Sequence, residues 1–286
     1  MTPSAPLGAF AGFATAALFC LWAGRPAAAQ TPSPLQEWQY SSGVPLYKLF
    51  EPDMPDWQVQ SGAAFESRPL YEGAVTYREL GGPVVDVRYR DLYFISSGEG
   101  IGYNFMRAAN YRAGISLGYD LGRYADQDLD HLKGLGNVSA APVIKLFGSY
   151  VISKAFPLVL RVDLRQYVGG ANGLAGDVEA YLPLPGSSER FVMFAGPSFT
   201  FADRLHMQTL FGISPDQSLA SGYPDYLAHG GADSAGFGFS ATRFLGKHWL
   251  LHLDLAADRL LGSAALSPIT QRTGQDAGVL AVAYRW

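Results

Sequence analysis

Two groups of residues in this chain carry types and spacings that could do chemistry. Asp126, Asp128 and Asp130 form a D-x-D-x-D run, with carboxylates spaced as in loops that hold hard cations. A calcium-binding EF-hand loop starting at Asp126 needs Gly at its sixth position and Glu at its twelfth. His131 and Asn137 stand there instead. That leaves a loose Ca²⁺ site or an Mg²⁺ bridge to lipid phosphates, and the favoured reading is a plain solvated acidic loop. The second group is His252 and Asp254, the base and orienting acid that a serine- or threonine-type hydrolase requires. Side chains at i and i+2 of a strand lie roughly 6–7 Å apart. That spacing predicts no direct bond, and no nucleophile motif accompanies the pair. A polar ladder without catalysis is the favoured reading. No metal motif, phosphate loop or dinucleotide fingerprint is present, and GGANG at 169–173 reads as a hairpin loop. No enzyme activity and no cofactor are expected.

The elements around these residues alternate with period two. Tyr111, Ala113, Ile115, Leu117, Tyr119 and Leu121 share one face, and Arg112, Gly114, Ser116, Gly118 and Asp120 the other. Leu158, Leu160, Val162 and Leu164 alternate with Val159, Arg161, Asp163 and Arg165. The same holds for Trp249–Ala256 and for Val279–Trp286, where Leu280, Val282, Tyr284 and Trp286 oppose Val279, Ala281, Ala283 and Arg285. Period two means strands with one apolar and one polar face. Soluble sandwiches alternate too. Here the strands run to about ten residues, as a tilted bilayer crossing needs. The apolar faces also begin or end in Tyr or Trp, as at an interfacial girdle.

These features predict an all-β, antiparallel transmembrane barrel of about 12 strands over 57–286. The four early strands are read near 57–66, 83–90, 91–97 and 100–106. Short connections near Ser153–Pro157, Pro185–Arg190 and Leu245–His248 are expected at the periplasm. Long ones at Tyr124–Asn137, Ala202–Asp233 and Leu261–Gln275 are expected outside. On the polar face, Arg88, Arg90, Arg112, Arg161, Arg165 and Arg285 accompany Asp86, Asp120, Asp163, Asp177, Glu179 and Asp254. They would line water in a pore or pair across a closed lumen, and their near balance of sign favours pairing. Tyr284 and Trp286 are read as the assembly signal of the last strand. Every lipid-facing stripe is apolar whatever its partner, so oligomeric state is not legible.

Composition agrees. Charged residues make up 16% of the 286, against about 25% in soluble domains. A chain with 25 acidic and 21 basic residues has no basic surplus to recruit nucleic acid. Phe10 to Gly24 is an apolar stretch of signal-peptide length, followed by Arg25-Pro26 and Ala27-Ala28-Ala29. Small residues at Ala27 and Ala29 place the cleavage before Gln30. Residues 1–29 are thus expected to leave, taking Cys20, the only cysteine, with them. Phe19 before that cysteine is too large for a lipoprotein site. Residues 30–56 are Pro-rich and without period, a periplasmic tail or a lumen plug.

From about Trp57 to Trp286 the chain resembles the MipA/OmpV family, named for a protein that interacts with a lytic transglycosylase. YEG at 71–73, VVDVRYRDLYF at 84–94, GIGYNFMR at 100–107 and ISLGYDLGR at 115–123 carry the likeness. So do DQDLDHLKGLGNV at 126–138, MQTLFGISPDQSLASGYPDY at 207–226 and DRLLGSAALSPIT at 258–270. The chain departs from the family where Asn137, Ser263 and Leu266 stand in place of loop acids and Trp286 in place of a terminal Phe. The resemblance implies an outer-membrane barrel that acts as a scaffold joining murein hydrolase and murein synthase at the envelope. The charged polar face supports a passive small-solute pore as the alternative. A barrel hydrolase built on His252 and Asp254 comes third.

Overall fold

Alternation along the chain becomes a closed wall in the computed structural model, which describes residues 56–286 apart from 109, 154, 155 and 189. The expected leader 1–29 and residues 30–55 of the irregular segment lie outside the described residues. Twelve strands follow one another: β1 (Trp57–Pro69), β2 (Tyr77–Tyr89), β3 (Tyr93–Ser96), β4 (Gly100–Arg107), β5 (Tyr111–Asp120), β6 (Ala141–Val151), β7 (Val159–Tyr167), β8 (Leu174–Pro183), β9 (Phe191–Ala202), β10 (Gly231–Leu245), β11 (Trp249–Leu260) and β12 (Gly274–Arg285). Each pairs antiparallel with its sequence neighbour. β1 closes the ring against β12, from Gln60↔Arg285 to Ser67↔Gly278. Closure matters because a strand edge in hydrocarbon leaves N–H and C=O groups unpaired, each costing several kcal/mol. Gly62 allows the seam to close tightly: a Cβ there would lie 2.0 Å from the Val282 carbonyl oxygen.

Side-chain parity follows the sequence reading. Leu160, Val162, Leu280 and Val282 point outward and are exposed, while Arg161, Asp163, Arg165 and Val279 point inward and are buried. The outer wall is therefore an apolar surface. At the short-turn end it carries rings in contact: Trp57 with Tyr89 at 4.7 Å, Trp249 with Tyr284 at 5.2 Å and Tyr284 with Trp286 at 5.0 Å between centroids. Aromatic rings with one polar edge suit a membrane interface.

The opposite end carries the long connections, and these fold. A 3₁₀ turn (Ala125–Gln127) and α1 (Leu129–Leu132) lie between β5 and β6. α2 (Arg204–Phe211) and α3 (Pro215–Ser221) lie between β9 and β10, and α4 (Gly262–Leu266) between β11 and β12. The helix signals are local. The Asp203 side chain accepts from the backbone N–H of His206 and starts α2. Ser214 and Gln217 form a capping box around Pro215 and start α3, which ends at Gly222 with φ of 82°. None of these helices is long and apolar enough to cross a membrane; the strands cross.

Candidate functional site

Four of the long-end connections share one apolar core. Leu70, Tyr71 and Ala74 from the β1–β2 loop pack with Leu132 and Leu135, with Ile213 and with Ile269. Beside them Met207, Leu210 and Phe211 of α2 pack on Val138, Tyr167, Ala228 and Ala264. Burying a side chain of the size of Met207 or Leu132 stabilises by about 1.5–3 kcal/mol, so the loops form a cap and not a fringe. Hydrogen bonds cross between them. Arg123 donates to the Leu210 carbonyl at 2.7 Å, Ser267 to that of Phe211 at 2.6 Å and Tyr226 to that of Ser263 at 2.9 Å. Two of the family departures take part: Asn137 accepts from Ala125 N at 2.8 Å and Ser263 Oγ from His229 N at 2.9 Å.

The acidic run belongs to this cap and does not converge. Asp126 and Asp130 are exposed. Asp128 turns inward and accepts from Tyr71 at 3.1 Å and from His131 Nδ1 at 2.9 Å. Among the described residues no group of three acids, histidines or cysteines could hold a metal ion. Asp128 ties loops together. No local pattern announces this contact, since Tyr71 lies 57 positions away.

Several titratable groups of the cap are perturbed, Glu72 and His206 among them. Glu72 projects toward the barrel mouth, and its Oε2 is buried without a partner. Burial pushes its carboxyl up to about 7; Asp258 and Asp120 push the same way, against Arg165 and Arg123. His206 donates through Nδ1 to the Asn172 carbonyl at 2.8 Å, and burial pulls its imidazolium down to about 4.

Below the cap the lumen is packed. Arg112, Arg161, Arg165, Asp163, Asp177, Glu179, Asp120 and Asp254 are all at most 8% exposed. Arg165 pairs with Asp177, which also accepts from Thr200 at 2.7 Å. Arg161 approaches Asp163 at 3.6 Å and Glu179 at 3.9 Å, and Arg112 reaches Asp91 at 2.9 Å. Arg88 pairs with Asp86 at 2.9 Å and with Glu99. Buried charges persist only when paired; the arginines lie against acids, while Asp120 accepts from the Gly122 N–H at 2.8 Å. Arg285 sits at the short-turn rim over the Phe244 ring, 5.3 Å from its centroid. There an inward cluster of Val151, Val159, Tyr181, Val192 and Phe194 lines the arc from β6 to β9.

Two expectations require correction. Arg90 does not face the lumen. β2 ends at Tyr89, the alternation stops there, and Arg90 turns out at φ of 52° to meet Asp56 at 2.9 Å. And His252 does reach Asp254: Nε2 donates to Oδ2 at 2.6 Å, while Nδ1 accepts from the Thr242 hydroxyl of β10 at 2.7 Å. Strand spacing separates the backbones, but side chains lean along the strand, and an imidazole spans much of the gap. Thr242 is the residue that sequence reading missed; the β10–β11 register places it directly opposite His252. The chain of hydroxyl, imidazole and carboxylate has the connectivity of a hydrolase triad. Thr242 is only 3% exposed, and the strands around it use their backbone N–H groups in the ladder, where none is free to hold an oxyanion.

An apolar, aromatic-girdled, closed wall with a polar interior defines a membrane β-barrel of the outer-membrane type. The family model described as "MltA-interacting protein MipA" matches residues 61–286, and the chain belongs to that family. The protein is a component of the outer membrane, so the short turns face the periplasm and the cap faces outside. Solved outer-membrane barrels match the chain at low likeness. OprD of Pseudomonas aeruginosa is 11% identical with a TM-score of 0.35, covering 82% of this chain and 66% of that one. The channel DcaP of Acinetobacter baumannii is 8% identical with a TM-score of 0.33, covering 80% and 96%. A bacterial polysaccharide outer-membrane secretin is 10% identical with a TM-score of 0.37, covering 82% and 100%. The chain thus spans just under two thirds of the length of OprD. No curated protein matches.

Proposed function

We propose that this barrel is a non-conducting, non-enzymatic anchor that presents its periplasmic turns and residues 30–56 to murein-processing enzymes, a hydrolase and a synthase, as a scaffold. The observation that carries the reading is the lumen itself. Its arginines are buried against acids, an apolar cluster lines one arc of its periplasmic end and a packed cap of loops lies at its outer end. A barrel so lined is suited to holding position. A solute path needs wet, exposed lumen charges. The family's name, which refers to interaction with MltA, supports a periplasmic partner. The test is capture of a lytic transglycosylase by the purified full-length protein. Deleting residues 30–56 should weaken capture while the barrel keeps its heat-modifiable gel shift. Undiminished capture after the deletion would move the contact to the turns, and no capture by the full chain would end the scaffold reading.

A further inference from the structure

The ring is closed, but its wall is not of even height. β3 has four residues and β4 eight, beside a β2 of thirteen. β3 pairs with β2 only from Asp86 to Tyr89, and one further contact joins Ser97 to Val85 at 2.9 Å. On that side Tyr77–Val84 has no strand neighbour among the described residues. Across the gap, β4 reaches β5 no higher than Leu117, and Gly118–Asp120 extend beyond it. The opening runs about 25 Å along the β2 edge and is about three strand spacings, or 14 Å, wide at its floor. The β3–β4 turn at 97–99 is the floor. A contact from Arg78 to Gln127 of the 3₁₀ turn is the roof.

Three observations say what this window admits. First, it lies in the lipid-facing wall on the outer side. Second, it cannot template a strand. Val85 donates toward β3, so positions 77, 79, 81 and 83 present their backbone to the gap. Pro83 has no N–H to offer, and Gly81 and Gly82 have no side chains to hold a partner. Third, the lumen wall behind it differs from the rest. Gly62, Ala64, Leu80, Gly82 and Val84 face inward there, and Glu66, opposite Leu80 and drawn toward Arg68, is the polar side chain among them. Gly82 is exposed and the others partly so, with nothing within 4 Å of a Cβ built on Gly82. Elsewhere the lumen wall carries most of the buried charges. At the top of this trough Arg68 and Arg78 face each other across β1 and β2. Glu66, 3.5 Å from Arg68, balances one of them. Arg78 has only the neutral Gln127, and one of its Nη atoms is buried without a partner. Glu79 points outward, away from the pair.

We propose that the gap between β2 and β5 is a lateral lipid site. An acyl chain of an outer-leaflet lipid passes through the window and lies along the Gly62–Ala64–Leu80–Gly82–Val84 trough, and its phosphate rests on Arg78. A hydrocarbon chain shields the β2 edge from water without needing backbone partners. Two guanidiniums side by side are relieved by an anion. The site stands whether or not the barrel is a scaffold, since it opens to the membrane and not to the periplasm.

The test uses the full chain with Cys20→Ser, refolded into vesicles. A nitroxide on Gly82→Cys should collide with oxygen and not with an aqueous nickel chelate, as one on outward Leu280→Cys does. A nitroxide on inward Thr200→Cys should be shielded from both. A Gly82 label shielded like Thr200, or reached by nickel, would overturn chain entry. Native mass spectrometry supplies the headgroup arm, with vesicles of phosphatidylglycerol or lipid A set against phosphatidylcholine. One anionic lipid should be retained, and Arg78→Gln should reduce retention about tenfold, the weight of one charge-assisted contact. Arg78→Lys should restore most of it. Leu80→Gln, a second variant in the trough, should lower retention with the Arg pair intact. Equal retention of phosphatidylcholine, indifference to both Arg78→Gln and Leu80→Gln, or displacement of the lipid by inorganic phosphate alone would contradict the proposal. The heat-modifiable shift of each variant separates lost binding from lost folding.

Discussion

His252 and Asp254 lie two positions apart on β11 and are joined by a 2.6 Å hydrogen bond from Nε2 to Oδ2. The bond fixes the tautomer, so Nδ1 is left to accept from Thr242. Asp254 is 1% exposed and needs that partner. His252→Ala should therefore cost about 3 kcal/mol in urea unfolding from vesicles, because it strands a buried carboxylate. Thr242→Val should cost about 1 kcal/mol. If the three residues only satisfy one another, hydrolysis of activated esters by purified protein should be absent and unchanged in Thr242→Val. Ester hydrolysis that disappears in Thr242→Val would make this a working hydrolase.

The lipid face tolerates charge poorly. Leu160→Arg and Leu280→Arg, at outward positions, should each lower folded yield, since an Arg near the midplane of a barrel's outer face costs about 2–4 kcal/mol. Gly82→Ser, at an open inward position, should be nearly neutral. The check is the fraction of heat-shifted barrel in isolated outer membranes. Equal loss in all three would contradict the parity.

Legibility in the sequence followed periodicity. Where apolar and polar residues alternate without interruption, as in Tyr111–Leu121 and Leu158–Arg165, strand and face were both readable. β2 begins at Tyr77, six residues before its expected start at 83, because Glu79 outside and Gly81-Gly82-Pro83 break the alternation. In the sequence the cap segments look like loops. Its helices are at most eight residues long, so their period barely repeats, although Asp203 and the Ser214–Gln217 box were legible start signals. The contacts that make the site, Tyr71 with Asp128 or Thr242 with His252, depend on register and closure, which no local pattern carries.

The cap should respond to pH through two groups that oppose each other. Glu72 is raised to about 7, chiefly by burial, so the stability it contributes is fully present below its unfolded value near 4.5 and is lost as pH rises through 7. His206 is lowered to about 4, again chiefly by burial. Its contribution is present above its unfolded value near 6.5 and is lost as pH falls toward 4. Between those limits the two offset. In Glu72→Gln the loss on raising pH should vanish, and hydrogen-exchange protection of 70–76 and 204–211 should fall on acidification only, through His206 and Asp128. Protection in that variant that still falls on raising the pH from 5 to 8 would contradict the assignment to Glu72.

Trp286 donates from its backbone N–H to Val59 at 3.1 Å and from its indole to Ser61 Oγ at 3.1 Å, across the β1–β12 seam. Deleting it removes a ring from the girdle and two contacts from the closure. Folded protein in the outer membrane should fall sharply. Trp286→Phe keeps the ring and the backbone bond, loses about 1 kcal/mol for the indole bond, and should assemble nearly normally. A variant with Phe that failed as badly as the deletion would contradict the girdle account.

The barrel should hold position without conducting. Planar-bilayer recording of the purified full-length protein tests it most directly. The packed cap, the paired lumen charges and the apolar periplasmic cluster predict no steady channels, and none in Arg161→Glu either. Long-lived ohmic conductance in the parent protein, with a selectivity that shifts in Arg161→Glu, would contradict the account and make the barrel a pore.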